Sequence, residues 1–244
     1  MKKQLGTAIV ALGLSIGHGA AASTIIDFEG FAKGTIIDNE YSAQGVTITG
    51  VNVDQISHSR SDNIGVIFDT DANWTADPDL EAPFYNTNGQ NLGVANPGNV
   101  LIIHEHPWER NDFNCGNDPD DEGSRPAGYF DIVFDQAVTL NSIDFFDVEY
   151  GENGNSYKNL ITVNGTGTYD PFHTPYTGGD NTWGRLNFNL VGVTSLRIKL
   201  HGSGAIDNIN FDYAMVPEPP LVAVLLLGLG LIGVSRRQRA LSVS

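Results

Sequence analysis

The chain has 244 residues, of which 29 are acidic and 13 are basic, and its formal net charge at pH 7 is −16. This charge disfavours binding to nucleic acid or to anionic lipid, and it favours contact with divalent cations. Cys115 is the only cysteine, which excludes an intramolecular disulfide.

The first 22 residues have the pattern of a secretory signal peptide. Lys2 and Lys3 precede an apolar stretch, and three alanines at 20–22 supply the small residues of a cleavage site. We therefore expect an exported protein whose mature chain starts at residue 23. An exported domain without a disulfide needs another source of rigidity, for which a bound metal is one candidate.

Between residues 23 and 214, apolar residues alternate with polar ones at a period of two, as in half-buried β-strands. The segments 186–190, 196–201 and 209–213 show this alternation most clearly. Clusters of Gly, Asn, Asp and Pro separate these strand-like segments. The pattern predicts an all-β domain, an antiparallel β-sandwich of the jelly-roll type with about ten strands.

Two long loops are predicted within this domain, one over about 69–97 and one over about 104–126. Their acidic side chains would repel one another if the loops met, and a bound cation would relieve that repulsion. Calcium is a hard cation that prefers oxygen ligands, so carboxylates suit it, although the spacing does not match an EF-hand. The alternative is a solvated acidic surface that keeps the protein soluble. The candidate ligands are Asp69, Asp77 and Asp79 in the first loop, Glu105 where the intervening strand runs into the second loop, and Asp120 and Asp121 within that loop.

The two ends of the domain supply further candidate ligands. The segment 25–30 (IIDFEG) starts the domain, and 202–213 (GSGAIDNINFDY) closes it. This pairing resembles carbohydrate-binding modules and galactose-binding-like jelly rolls, in which the first and last strands lie side by side. The resemblance implies that Glu29 and Asp207 hold a structural calcium, with Asp27 or Asp38 as alternative ligands. The alternative is an ordinary Asx turn at Asp207.

Aromatic residues in loop-like segments are candidates for sugar binding, because exposed rings can stack on the apolar faces of sugars. The alternative is that these rings are buried under the long loops. The candidates are Trp74, Trp108, Tyr150 and Trp183.

The C-terminal segment 215–239 indicates where the protein is sent. A Pro-Glu-Pro triplet precedes an uncharged apolar run over 220–235, and arginines follow. As a helix the run would span roughly 24 Å, against about 30 Å of bilayer hydrocarbon, which suits transient insertion. The arginines favour a cytoplasmic C-terminus with the preceding chain outside. The signal residues are Pro217, Glu218, Pro219, Arg236 and Arg237.

This order of motifs resembles the PEP-CTERM sorting signal of Gram-negative bacteria. The resemblance implies that an exosortase-type membrane protease recognises the tail and passes the protein to the cell surface, through the inner membrane and periplasm. Proteins with this signal tend to occur in bacteria that make exopolysaccharide.

Motifs of enzymes are scarce, since no G-x-S-x-G, H-E-x-x-H or P-loop pattern occurs. We therefore expect a calcium-stabilised, non-catalytic protein of the cell surface or extracellular matrix that associates with carbohydrate or exopolysaccharide. One alternative is a glycan-active hydrolase or lyase, which needs two carboxylates about 5 to 10 Å apart in a deep cleft. Another is a structural coat or adhesion protein with no small ligand.

Overall fold

A computed structural model describes most of the predicted domain. The described residues are 23–52, 63–72, 75, 77–85, 97–104, 110–111, 114–115, 119–121, 127–149, 160–165 and 172–213. Both predicted targeting segments lie outside these ranges, as do Glu105, Trp74, Trp108 and Tyr150, so the roles assigned to them stay predictions. Within the described ranges, no helix has the length and apolar character needed to span a membrane.

The described residues form strands and two single-turn 3₁₀ helices, η1 (Ser42–Gln44) and η2 (Pro78–Leu80). The strands are β1 (Thr24–Ile26), β2 (Val46–Asn52), β3 (Gly65–Asp69), β4 (Asn99–Ile103), β5 (Arg110–Asn111), β6 (Asn114–Cys115), β7 (Gly128–Phe146), β8 (Ile161–Val163), β9 (Trp183–Leu200) and β10 (Ala205–Tyr213).

Eight of these strands belong to one antiparallel sheet, which confirms the predicted all-β antiparallel class. Its order is β3-β4-β10-β7-β9-β8, with β1 paired to β10 and β2 paired to β7. The first and last strands of the domain therefore lie side by side, as predicted, with Ile26 opposite Ile209. The second predicted loop differs from expectation, because it contains the separate β5–β6 ribbon.

The long strands β7 and β9 pair along almost their whole length and organise the sheet. Register shifts occur between Val133 and Val138 and between Leu140 and Ser142. Such bulges bend a strand and increase its twist, so they let the sheet curl. One half of β7 then pairs with β2 and the other with β10.

The apolar core lies inside this curl, where the predicted alternation places it. Leu196, Ile198 and Leu200 are buried, whereas Arg197 and Lys199 face outward and are half-buried. A second apolar cluster joins β3, β4 and the end of β7 to Leu80 and Phe84, which come from the first predicted loop. That loop is therefore anchored by its own apolar residues.

Gly128 is required by close packing of β7 on β2. A Cβ atom at Gly128 would lie 1.9 Å from the carbonyl oxygen of Val51, a backbone atom that cannot move aside freely. We expect Gly128→Ala to lower the free energy of unfolding by about 3 kcal/mol, measured by urea denaturation. The control is Gly192→Ala, where φ is +83° but no atom lies within 4 Å, so the expected cost is only about 1 kcal/mol. An equal loss of stability in the two variants would contradict the close packing of Gly128 on β2.

Candidate metal centre

The two predicted acidic loops meet in the structure. One carboxylate oxygen from each of Asp77, Asp120 and Asp121 lies within 4.8 Å of the other two. Asp77 and Asp121 are buried, with 1% and 2% of their surfaces exposed, and Asp120 is half-buried. These three residues, called the acidic cluster below, can hold a metal ion.

Local hydrogen bonds fix Asp77 at the start of η2. Its Oδ1 atom accepts a hydrogen bond from the Asp79 backbone N–H at 3.1 Å, and Pro78 occupies the first position of the turn. An Asp that caps a turn in this way satisfies one of the free N–H groups at its start. The Thr75 hydroxyl donates to the Asp77 carbonyl oxygen at 2.7 Å. One carboxylate oxygen of Asp77 is thus used for structure, and Oδ2 is left for another partner.

The other half of the cluster is held by the end of β4 and by the turn between β9 and β10. The Asp120 backbone N–H donates to Nδ1 of the buried His104 at 3.3 Å. Asp121 Oδ2 accepts a hydrogen bond from the Gly204 backbone N–H. Residues far apart in the chain therefore set the positions of the two carboxylates.

Asp147, which sequence reasoning missed, stands beside the acidic cluster. It follows β7 directly, in a left-handed conformation with φ of 52°, and only 2% of its surface is exposed. Its backbone N–H donates to the Thr182 carbonyl oxygen at 3.0 Å, which fixes its position. The sequence signal was an Asp placed immediately after a long buried strand.

Three buried carboxyl groups at this site each have one oxygen that lacks a hydrogen-bond donor among the described residues. No donor among the described residues reaches Asp77 Oδ2, Asp121 Oδ1 or Asp147 Oδ1. Burial, followed by the charge of Asp77, raises the pKa of Asp121 well above its usual range. Burial, with the charges of Asp77 and Asp79, raises the pKa of Asp147 to about 9. Such a site favours carboxyl groups that are either protonated or bound to a cation.

The remaining predicted ligands of the first loop lie at or beyond the edge of the cluster. Asp79 is half-buried, and burial, with the charges of Asp180 and Asp77, raises its pKa. Asp69 Oδ1 accepts a hydrogen bond from the Asp71 backbone N–H at 3.0 Å in the turn after β3. Asp69 is not among the three carboxylates that converge.

Glu29 and Asp207 occupy a different part of the described structure. Glu29 Oε1 accepts a hydrogen bond from the Asn99 backbone N–H at 2.9 Å. Asp207 is buried, and burial raises its pKa to about 9, with further contributions from the charges of Asp144, Asp27 and Glu29. Asp144 itself is paired with Arg185 at 2.6 and 2.8 Å. Calcium binding by Glu29 and Asp207 stays a prediction.

Trp183, the only predicted sugar-binding aromatic within the described residues, begins β9. Its ring packs against the second apolar cluster, and the Arg185 guanidinium lies 5.6 Å from the ring centroid. These contacts give the ring a packing role, and its part in sugar binding stays a prediction.

Comparison with known proteins assigns no family. No family model matches the chain, and no curated protein matches it. Among solved structures, the chain is similar to CBM35 from Paenibacillus barcinonensis at 15% sequence identity and a TM-score of 0.28. The match covers 80% of this chain and 99% of that chain. A likeness at this level carries no information on ligand or activity.

If calcium binds the acidic cluster, Asp121→Asn will change the free energy of unfolding in opposite directions in calcium and in chelator. In a chelator, the variant removes a buried carboxyl group from its repelling neighbours and should raise the free energy of unfolding by about 1 kcal/mol. In calcium, it removes a ligand, and each tenfold loss of affinity costs about 1.4 kcal/mol of the calcium-dependent stability. Thermal unfolding under both conditions measures the two effects.

Asp135→Asn is the matched control for this test, because Asp135 is exposed. It removes the same charge and should change stability by less than about 0.5 kcal/mol in either condition. A shift of the same sign for Asp121→Asn in calcium and in chelator would contradict a metal site.

The raised pKa of Asp147 predicts the pH dependence of the calcium-free protein. In the folded chain this carboxyl group keeps its proton up to about pH 9, whereas in the unfolded chain it loses it near about pH 4. The unfolded state therefore binds fewer protons, and stability falls as pH rises between these values, by up to about 1.4 kcal/mol per pH unit for such a group.

Calcium displaces these protons, so the stabilisation by calcium should grow as pH rises. Thermal unfolding at several values between about pH 5 and 9, with calcium and with chelator, measures this difference. A calcium effect that is constant over the range would contradict the prediction.

Proposed function

We propose that this protein is an exported, non-catalytic protein of the cell surface, which binds calcium at the acidic cluster and associates with exopolysaccharide. The observation that carries the proposal is the burial of Asp77 and Asp121 with carboxylate oxygens that no described donor reaches. Charged groups without partners are costly to bury, and coordination to a cation removes that cost.

The chemistry of the donors supports calcium in particular. The converging ligands are all carboxylate oxygens, which suit hard cations, whereas zinc prefers sites with nitrogen or sulfur. Magnesium usually keeps several of its waters, while calcium accepts many protein oxygens in flexible geometry. A site with three buried or half-buried carboxylates and a fourth, Asp147, beside it matches the preference of calcium.

The position of the cluster supports a structural role for the ion rather than a catalytic one. Asp77 and Asp121 are almost fully buried, so a polysaccharide chain cannot reach their carboxylates. The cation would instead tie the segment around η2 to the segment after β4, and through Gly204 to the β9–β10 turn. An exported domain without a disulfide gains rigidity from such a tie.

The ends of the chain support the proposed destination. The signal-peptide pattern over 1–22 fits export, and the Pro-Glu-Pro triplet with its apolar run and arginines fits recognition by an exosortase-type protease. An association with exopolysaccharide follows from the same resemblance. The predicted β-sandwich, of which the curled sheet is the observed part, suits a rigid binding module.

The proposal predicts retention on polysaccharide without cleavage. Purified protein loaded with calcium should sediment with exopolysaccharide from a producing bacterium, and no new reducing ends or unsaturated sugars should be released. The wild-type protein in chelator is the control for loss of the calcium-loaded state. Release of sugar products would identify an enzyme. Failure of the loaded protein to sediment would favour a coat protein without a glycan ligand.

A further inference from the structure

A groove of about 500 Å³ lies on the sheet and is lined by residues other than those of the acidic cluster. It runs across the first half of β7, the second half of β9 and the short strand β8. Its lining residues with outward-facing polar side chains are Asp131, Thr162, Ser195, Arg197 and Lys199.

The centre of the groove is a rigid ion pair. Asp131 and Arg197 are direct partners across β7 and β9, and Nε and a terminal nitrogen of Arg197 each lie 2.6 Å from a carboxylate oxygen of Asp131. The guanidinium lies 4.0 Å from the centroid of the Tyr129 ring. An arginine held by a carboxylate and an aromatic ring is pre-organised, and it keeps further N–H donors for a ligand.

Lys199 gives the groove its excess of positive charge. It lies two residues from Arg197 on the same face of β9, opposite Tyr129. Within the described ranges, the salt bridges of the groove involve Arg197 and Asp131, and no carboxylate pairs with the Lys199 ammonium. In a chain with a net charge of −16, an ammonium that no described carboxylate pairs with is a local excess of positive charge.

We propose that this groove binds a carboxylate-bearing saccharide unit of a polysaccharide. Lys199 pairs with the sugar carboxylate, because an ammonium–carboxylate hydrogen bond is stronger than a neutral one. The Asp131–Arg197 pair offers acceptors and donors to neighbouring sugar hydroxyls, and Thr162 and Ser195 add hydroxyl groups. The net negative charge of the chain disfavours anion binding elsewhere on the protein, so the local positive charge directs the anion to the groove. This inference rests on the proposed association with exopolysaccharide. It specifies the chemical class of that polysaccharide and the site on the protein that binds it.

The test compares an oligosaccharide of glucuronate with the matching oligosaccharide of glucose, by calorimetry at a fixed calcium concentration. We expect the purified protein to bind the glucuronate form, and Lys199→Gln to weaken that binding by about tenfold, since hydrogen bonds to charged groups are worth about one tenfold step. Lys33→Gln is the matched control, because it removes a lysine charge outside the groove, and we expect unchanged affinity. Thermal unfolding of each variant in calcium verifies that it is folded.

Three other results would overturn the inference, and they separate it from the proposed function. Unchanged binding of glucuronate by Lys199→Gln would place the glycan elsewhere on the protein. Tighter binding of the glucose form would exclude a carboxylate-directed site. Either result leaves the association with polysaccharide intact. Failure of the wild-type protein to bind either oligosaccharide or the host exopolysaccharide would overturn both proposals together.

Discussion

The buried carboxyl groups at one end of the sheet set the condition that the rest of the structure must satisfy. Asp77, Asp121 and Asp147 are each at least 98% buried, and each keeps an oxygen that no described donor reaches. Negative charges in that position cannot all be present without a compensating cation. The fold is therefore stable in one of two states, with protons or with a metal ion at this site.

The long strands explain how this condition extends to the whole domain. Asp147 directly follows strand β7, and that strand pairs along its length with β9, β2 and β10. Asp121 accepts a hydrogen bond from the turn that joins β9 to β10. Asp77 comes from a segment anchored on the second apolar cluster through Leu80 and Phe84. An ion bound at the acidic cluster would add a second connection between the central strands and the first loop, beside the apolar contacts of Leu80 and Phe84.

The groove on the sheet and the acidic cluster in the loops suit two different proposed tasks. The cluster is largely buried and suits an ion that stabilises the fold, whereas the groove is open and carries a lysine with no carboxylate partner among the described residues. A protein with a net charge of −16 can hold an acidic polysaccharide only where positive charge is concentrated. Arg197 and Lys199 on one face of β9 meet that requirement.

Much of the fold could be predicted from the sequence, because the period of two along β9 and β10 reports directly which side chains face the core. Asp77 and Asp121 could be proposed as ligands from the density of acidic residues in their loops. Asp147 could not, because its one sequence signal, a position directly after a strand, does not by itself indicate a ligand. The groove was missed for a related reason. Arg197 and Asp131 are 66 residues apart, and only the register of β7 against β9 brings them together.

The most direct measurement is a crystal structure of the protein grown in calcium, with anomalous scattering recorded to locate the ion. The account predicts one calcium peak about 2.3 to 2.6 Å from carboxylate oxygens of Asp77, Asp120 and Asp121. An absence of a peak there, with the three carboxyl groups hydrogen-bonded to one another or to water, would contradict it.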